Sequence, residues 1–127
     1  MEGKTTIYDS LNGEAGVRAL VLRFYELMDE LPEARELRFL HPEDLQRSAD
    51  SLFMFFSGWF GGPPLYVSER GHPRLRMRHF PFAIGPSERD QWMLCMRKAL
   101  SEVVEDSDTR SAIEAACEGM ANHMVNV

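Results

Sequence analysis

Apolar residues recur at intervals of three and four over most of this chain, the spacing of helices that bury one face. From Gly13 to Leu31 the positions Val17, Leu20, Val21, Phe24, Leu27, Met28 and Leu31 predict a first long helix. Pro32 closes it, and Glu33 to Leu40 leaves room for a short helical piece before His41-Pro42, which puts His41 at a corner. Pro42 suits the first turn of the next helix, with Glu43 and Asp44 complementing its dipole. Leu45, Ser48, Leu52, Phe55, Phe56 and Trp59 then form one stripe, ended by Gly61-Gly62-Pro63-Pro64. Leu65 to Gly71 shows no periodicity. Pro73 opens a short helix to about His79, which Pro81 stops. After Gly85-Pro86, Glu88 and Asp90 open a long helix with Trp92, Met93, Met96, Ala99, Leu100, Val103 and Val104 as its apolar positions. Asp106-Ser107-Asp108 marks a break and recapping, and the last helix carries Ile113, Ala116, Cys117, Met120 and Met124 on one face. The prediction is an all-α chain with four long helices, one short helix and no strand, forming one domain over residues 1–127.

Composition narrows the uses of such a domain. With 44% hydrophobic residues dispersed along 127, the chain supports a core but offers no membrane span. Its first residues show no leader pattern, so the cytoplasm is the expected compartment. A formal net charge of −6 argues against a nucleic-acid partner. Arg70, Arg74, Arg76 and Arg78 run against that trend, as either a site for a small anionic group or a solvated helix face. Cys95 and Cys117 lack metal-ligand spacing and sit inside amphipathic patterns, so buried reduced thiols are expected.

Three features stand out as candidate chemistry. His79 ends a short helix, follows the arginine cluster and precedes Phe80 and Phe82. An imidazole, apolar walls and nearby cations are what haem requires for its iron, porphyrin and propionates. His72 competes for that role, but it stands at a helix entry, whereas His79 shares a face with Leu75. Ser48 places a hydroxyl inside an apolar stripe, where it either bonds back to its own helix or faces a wet cavity. Tyr25 and Trp92, with His41 at the corner, are polar-tipped rings that serve as ordinary core aromatics or as donors to a bound ligand.

The string Gly71-His72-Pro73-Arg74-Leu75-Arg76-Met77-Arg78-His79-Phe80-Pro81-Phe82 resembles the proximal segment of the group II (O-type) truncated haemoglobins. The likeness extends through Arg23-Phe24-Tyr25, His41-Pro42-Glu43-Asp44-Leu45, Trp59-Phe60-Gly61-Gly62-Pro63-Pro64 and Glu88 to Met96, and spans Ile7 to the C-terminus. It implies a globin-like, truncated two-over-two helical sandwich around haem b (iron protoporphyrin IX), with His79 as the iron ligand. It further implies a distal set of Tyr25, His41, Ser48, Leu52 and Trp92, and haem-wall residues Phe24, Phe55, Tyr66, Leu75, Phe82, Ile84 and Met96. Arg78 and Tyr66 are the implied propionate partners. The family often carries tyrosine at the corner, so His41 is a variant. Ser48 takes the place of the distal histidine of vertebrate globins, and its small side chain would leave the side entrance open.

The resemblance therefore implies a five-coordinate ferrous haem that binds dioxygen, carbon monoxide or nitric oxide. Up to three donors, from Tyr25, His41 and Trp92, would slow ligand release. Slow release suits sensing, scavenging or redox conversion, with nitric oxide dioxygenation or a peroxidase-like reaction as the activities and a reductase as partner. A monomer or weak homodimer is expected. The competing reading is a helical module that binds sulfide or no haem at all, its distal polar residues merely bonding within the core.

Overall fold

A computed structural model describes residues 6–74, 77, 79 and 81–127. Its helices are α1 (Ile7–Ser10), α2 (Glu14–Glu30), α3 (Arg35–Phe39), α4 (Gln46–Trp59), α5 (Leu65–Arg70), α6 (Pro86–Val103) and α7 (Ser107–Met124), with a 3-10 turn at Pro32–Ala34 before α3. No strand occurs among the described residues. Met77 and His79 are helical, as the Pro73 to His79 pattern predicts, while Leu75, Arg76, Arg78 and Phe80 lie outside the described residues.

The long helices pack as two layered pairs. α2 lies against α4 and, more extensively, against α6, which in turn packs on α7. Val17, Leu20, Val21, Phe24, Leu27 and Met28 form the buried face of α2. Opposite them stand Met93, Cys95, Met96, Ala99 and Leu100 of α6 and Ile113 and Cys117 of α7, so both thiols are sealed in the core. Gly16 lets the end of α1 approach, because a Cβ there would collide with the Leu11 carbonyl. Asp106 recaps the chain as expected, its carboxylate accepting from the Thr109 backbone N–H at 2.9 Å. No helix among the described residues is long and apolar enough to cross a membrane.

Three expectations need correction. Pro42 does not open the fourth helix, which starts at Gln46, where the backbone N–H donates to Asp44 Oδ1 at 3.0 Å. The intervening corner is held open by Arg38, whose guanidinium takes the Pro42 and Glu43 carbonyls, each at 2.8 Å. Next, the buried face of α4 is Ala49, Phe53, Phe56 and Ser57. The stripe through Ser48, Leu52 and Phe55 is only partly buried, and Trp59 remains 39% exposed. The apolar arc of α4 is wide enough for two faces, one packed into the core and one turned elsewhere. Finally, Leu65–Arg70 is a helix too short to show a period, docked through Arg70 Nη1 donating to Ser51 Oγ at 2.7 Å.

Candidate functional site

Tyr25 stands on α2 one residue after the buried Phe24, and the helix turn sets their rings edge to face with centroids 4.9 Å apart. Phe24 also packs against Trp92 of α6 at 4.9 Å, while Tyr25 meets the corner residue His41 at 6.0 Å. Four rings from three separate stretches of the chain thus form one cluster. Among the described residues neither the Tyr25 hydroxyl nor the Trp92 indole N–H is engaged in a hydrogen bond. No sealed side-chain polar atom among the described residues lacks a partner, so neither donor is fully sealed in the core. Burial holds the Tyr25 phenol well above its ordinary pKa and keeps its proton in place.

His41 is partly buried, and its Nδ1 lies 3.0 Å from the Leu37 carbonyl oxygen. Burial lowers its pKa, the Leu37 bond opposes that, and the charges of Arg38 and His79 lower it further.

Sequence reasoning missed the residues that hold this corner. Arg38 binds Asp29 Oδ1 at 2.8 Å besides the two corner carbonyls. Gln91, buried beside Trp92, accepts from the Leu37 backbone N–H at 2.9 Å and donates to Glu36 and to Ser87 Oγ. A glutamine in an amphipathic helix reads as a surface residue, and nothing in its spacing signals a partner 54 positions away.

The other candidates fall into three groups. Ser48, Leu52 and Phe55 share the half-buried face of α4, and Ser48 makes no hydrogen bond back to its helix. Phe24 and Met96 are fully buried, and Tyr66 and Ile84 nearly so, whereas Phe82 is 42% exposed. Leu75 and Arg78 lie outside the described residues. Between the histidines, His72 is exposed and its Nδ1 accepts from the Arg74 backbone N–H at 3.0 Å, while His79 is partly buried.

A cavity of about 440 Å³ is walled by Phe55, Met77, Met120 and Met124, with His72, Arg74 and His123 also lining it. Its size falls in the range of cofactor sites, and apolar walls with cationic side chains suit a flat apolar ring bearing carboxylates. None of Tyr25, His41, Trp92 and His79 lines this cavity; the partly buried imidazole of His79 and the two unengaged donors fit haem by their own chemistry, one as an iron ligand and two as donors to what the iron holds.

The bacterial-like globin family model matches residues 6–126. A group 2 truncated haemoglobin of Bacillus subtilis is 39% identical over 90% of this chain and 84% of its own length. The solved group II 2-on-2 haemoglobin of Agrobacterium tumefaciens is 49% identical, covers 98% of this chain and 97% of its own, and superposes with a TM-score of 0.96. The solved truncated oxygen-avid haemoglobin of Bacillus subtilis is 36% identical, covers 96% of this chain and 100% of its own, with a TM-score of 0.86. The similarity runs through the whole helical arrangement just described, so this chain belongs to the bacterial-like globin family, in its group II two-on-two branch, and shares that family's haem-based ligand binding.

Proposed function

We propose that the chain holds haem b through His79 and retains dioxygen by hydrogen bonds from Tyr25 and Trp92. The observation that carries this reading is the pair of unengaged donors grouped around Phe24, one of which, Tyr25, meets His41 at the corner. Haem, held by the His79 imidazole, would supply a ferrous iron able to bind a diatomic ligand. Tyr25 donates at any physiological pH because burial raises its pKa, and an indole N–H has no other role than donation.

His41 takes a different part from the third donor expected. A carbonyl oxygen only accepts, so the bond to Leu37 requires the proton on Nδ1. With the ring neutral, Nε2 is an acceptor, and His41 orients a neighbouring hydroxyl or water. The constellation is two donors and one acceptor. Ser48 and Leu52 flank it from α4, and the small serine leaves room for ligand entry. Phe24, Phe55, Phe82, Ile84 and Met96 form the walls, with Tyr66 near the propionates.

Two donors holding one ligand give slow release, and a structural relative from Bacillus subtilis is described as oxygen-avid. Carbon monoxide and nitric oxide would compete for the same position. Strong retention favours sensing, scavenging or redox conversion such as nitric oxide dioxygenation, which would need a reductase, over delivery. The buried thiols Cys95 and Cys117 suit a reducing, cytoplasmic compartment, and we expect a monomer or weak homodimer.

Visible spectra of reconstituted variants test the reading. His79→Ala should lose the Soret band of the ligated haem and His72→Ala should keep it. A colourless wild-type protein after reconstitution would refute haem binding altogether.

A further inference from the structure

We infer that Asn126 positions the iron-ligating imidazole by holding the backbone of His79 from the far end of the chain's fold. This rests on the reading of His79 as the ligand. α7 ends at Met124, and Val125 turns extended, which carries Asn126 across to the segment after His79. There the Ile84 backbone N–H donates to Asn126 Oδ1 at 2.9 Å, and the Asn126 backbone N–H donates to the Ile84 carbonyl at 2.8 Å. Asn126 Nδ2 donates to the Phe82 carbonyl at 2.9 Å and, at 3.5 Å, to the carbonyl of His79 itself.

A primary amide has one oxygen acceptor and two N–H donors, and here both atoms are used, each toward a backbone group of residues 79–84. The need for an outside donor follows from the local sequence. Pro81 has no N–H and cannot continue the helix, so the carbonyls at its end need other partners. For His79 those partners are the Phe82 N–H at 3.0 Å and the Asn126 amide. Moving Asn126 moves the carbonyl of His79, and with it the Cα that sets the height and rotation of the imidazole. On the other side Gly85 is tied to the start of α6 by its N–H donating to Glu88 Oε1 at 2.8 Å. The ligand segment is thereby strapped between α6 and the end of α7.

Two substitutions separate positioning from mere tethering. Asn126→Asp keeps the acceptor for Ile84 and loses both donors, while Asn126→Ala loses all three side-chain bonds. In the haem-free protein, hydrogen exchange at the Ile84 amide should rise about tenfold in Asn126→Ala and stay near wild type in Asn126→Asp. In the ferrous, ligand-free holoprotein, the iron–imidazole stretching band seen by resonance Raman should shift in both variants, since both leave the His79 carbonyl with the Phe82 N–H and without the Asn126 donor. An unmoved band in Asn126→Asp overturns the inference while leaving haem binding intact. A Soret band retained in His79→Ala overturns the inference together with the reading beneath it.

Discussion

The corner that carries His41 and the segment that carries His79 both lie outside the long helices, yet they are held in different ways. The corner is fastened from three directions, by the Arg38 guanidinium on its carbonyls, by Gln91 of α6 on Leu37, and by ring contact with Tyr25. The His79 segment leans on a turn and on Asn126, and it exposes apolar surface, with Met77 55% and Phe82 42% accessible. The His41 corner is closed by the protein's own groups, whereas the His79 segment shows apolar faces that haem would cover if His79 is its ligand, as proposed. Ligand binding to the native state alone stabilises it, so the proximal segment is where cofactor and fold stability are coupled.

The largest expected effect lies on the donors. Trp92→Phe or Tyr25→Phe should speed dioxygen dissociation about tenfold to a hundredfold, as expected for losing one hydrogen bond of roughly 1.5–3 kcal/mol. An unchanged off-rate in stopped-flow measurements would remove that residue from the distal set. Arg38→Ala should follow, with dissociation faster by about tenfold and stability lower by about 2 kcal/mol, because the corner loses three charge-assisted bonds on a partly buried side chain. If only stability changes, the corner does not control the ligand.

Gln91→Leu tests the second fastening. It leaves the Leu37 N–H buried without its partner, and urea titration should show a loss of about 1–3 kcal/mol. Hydrogen exchange across the haem-free protein then tests the contrast as a whole. Residues 77–84 should exchange well before α2 and α6, and uniform protection would break the comparison.

The smallest effect is the dependence on pH. The pKa of His41 is lowered on folding, so below about 6.5 the unfolded chain binds a proton that the native state resists. The stability that this group contributes is complete above that value and is lost as the pH falls toward the folded pKa. Protonation also turns Nε2 into a donor. Dioxygen dissociation should therefore slow in mild acid while the fold weakens, and His41→Phe should flatten both trends. Opposite slopes in the wild type are the signature to look for in paired melts and off-rates.

Much of the molecule is legible in its amino-acid pattern. The period of α2, α6 and α7, the cap at Asp106 and the proline stops follow from local chemistry, and the run around His79 is specific enough to imply the family. The side chains that fix the site are not legible in this way. Gln91, Arg38 and Asn126 are polar residues that each hold backbone groups, and two of those partners lie 54 and 42 positions away. Residue type shows that such a group will bond, but not with what.

The stripe on α4 makes the same point. Its spacing proves a helix, yet only packing chose Ala49, Phe53 and Phe56 for the core and left Ser48, Leu52 and Phe55 half covered. The long helices, their order and the imidazoles on offer were legible in the chain's own pattern, because these depend on neighbours three or four residues apart. Tertiary structure alone decided that Gln91 meets the Leu37 N–H and that His79 is tied to Asn126. Each of these depends on where a buried carbonyl or N–H from another part of the chain comes to rest.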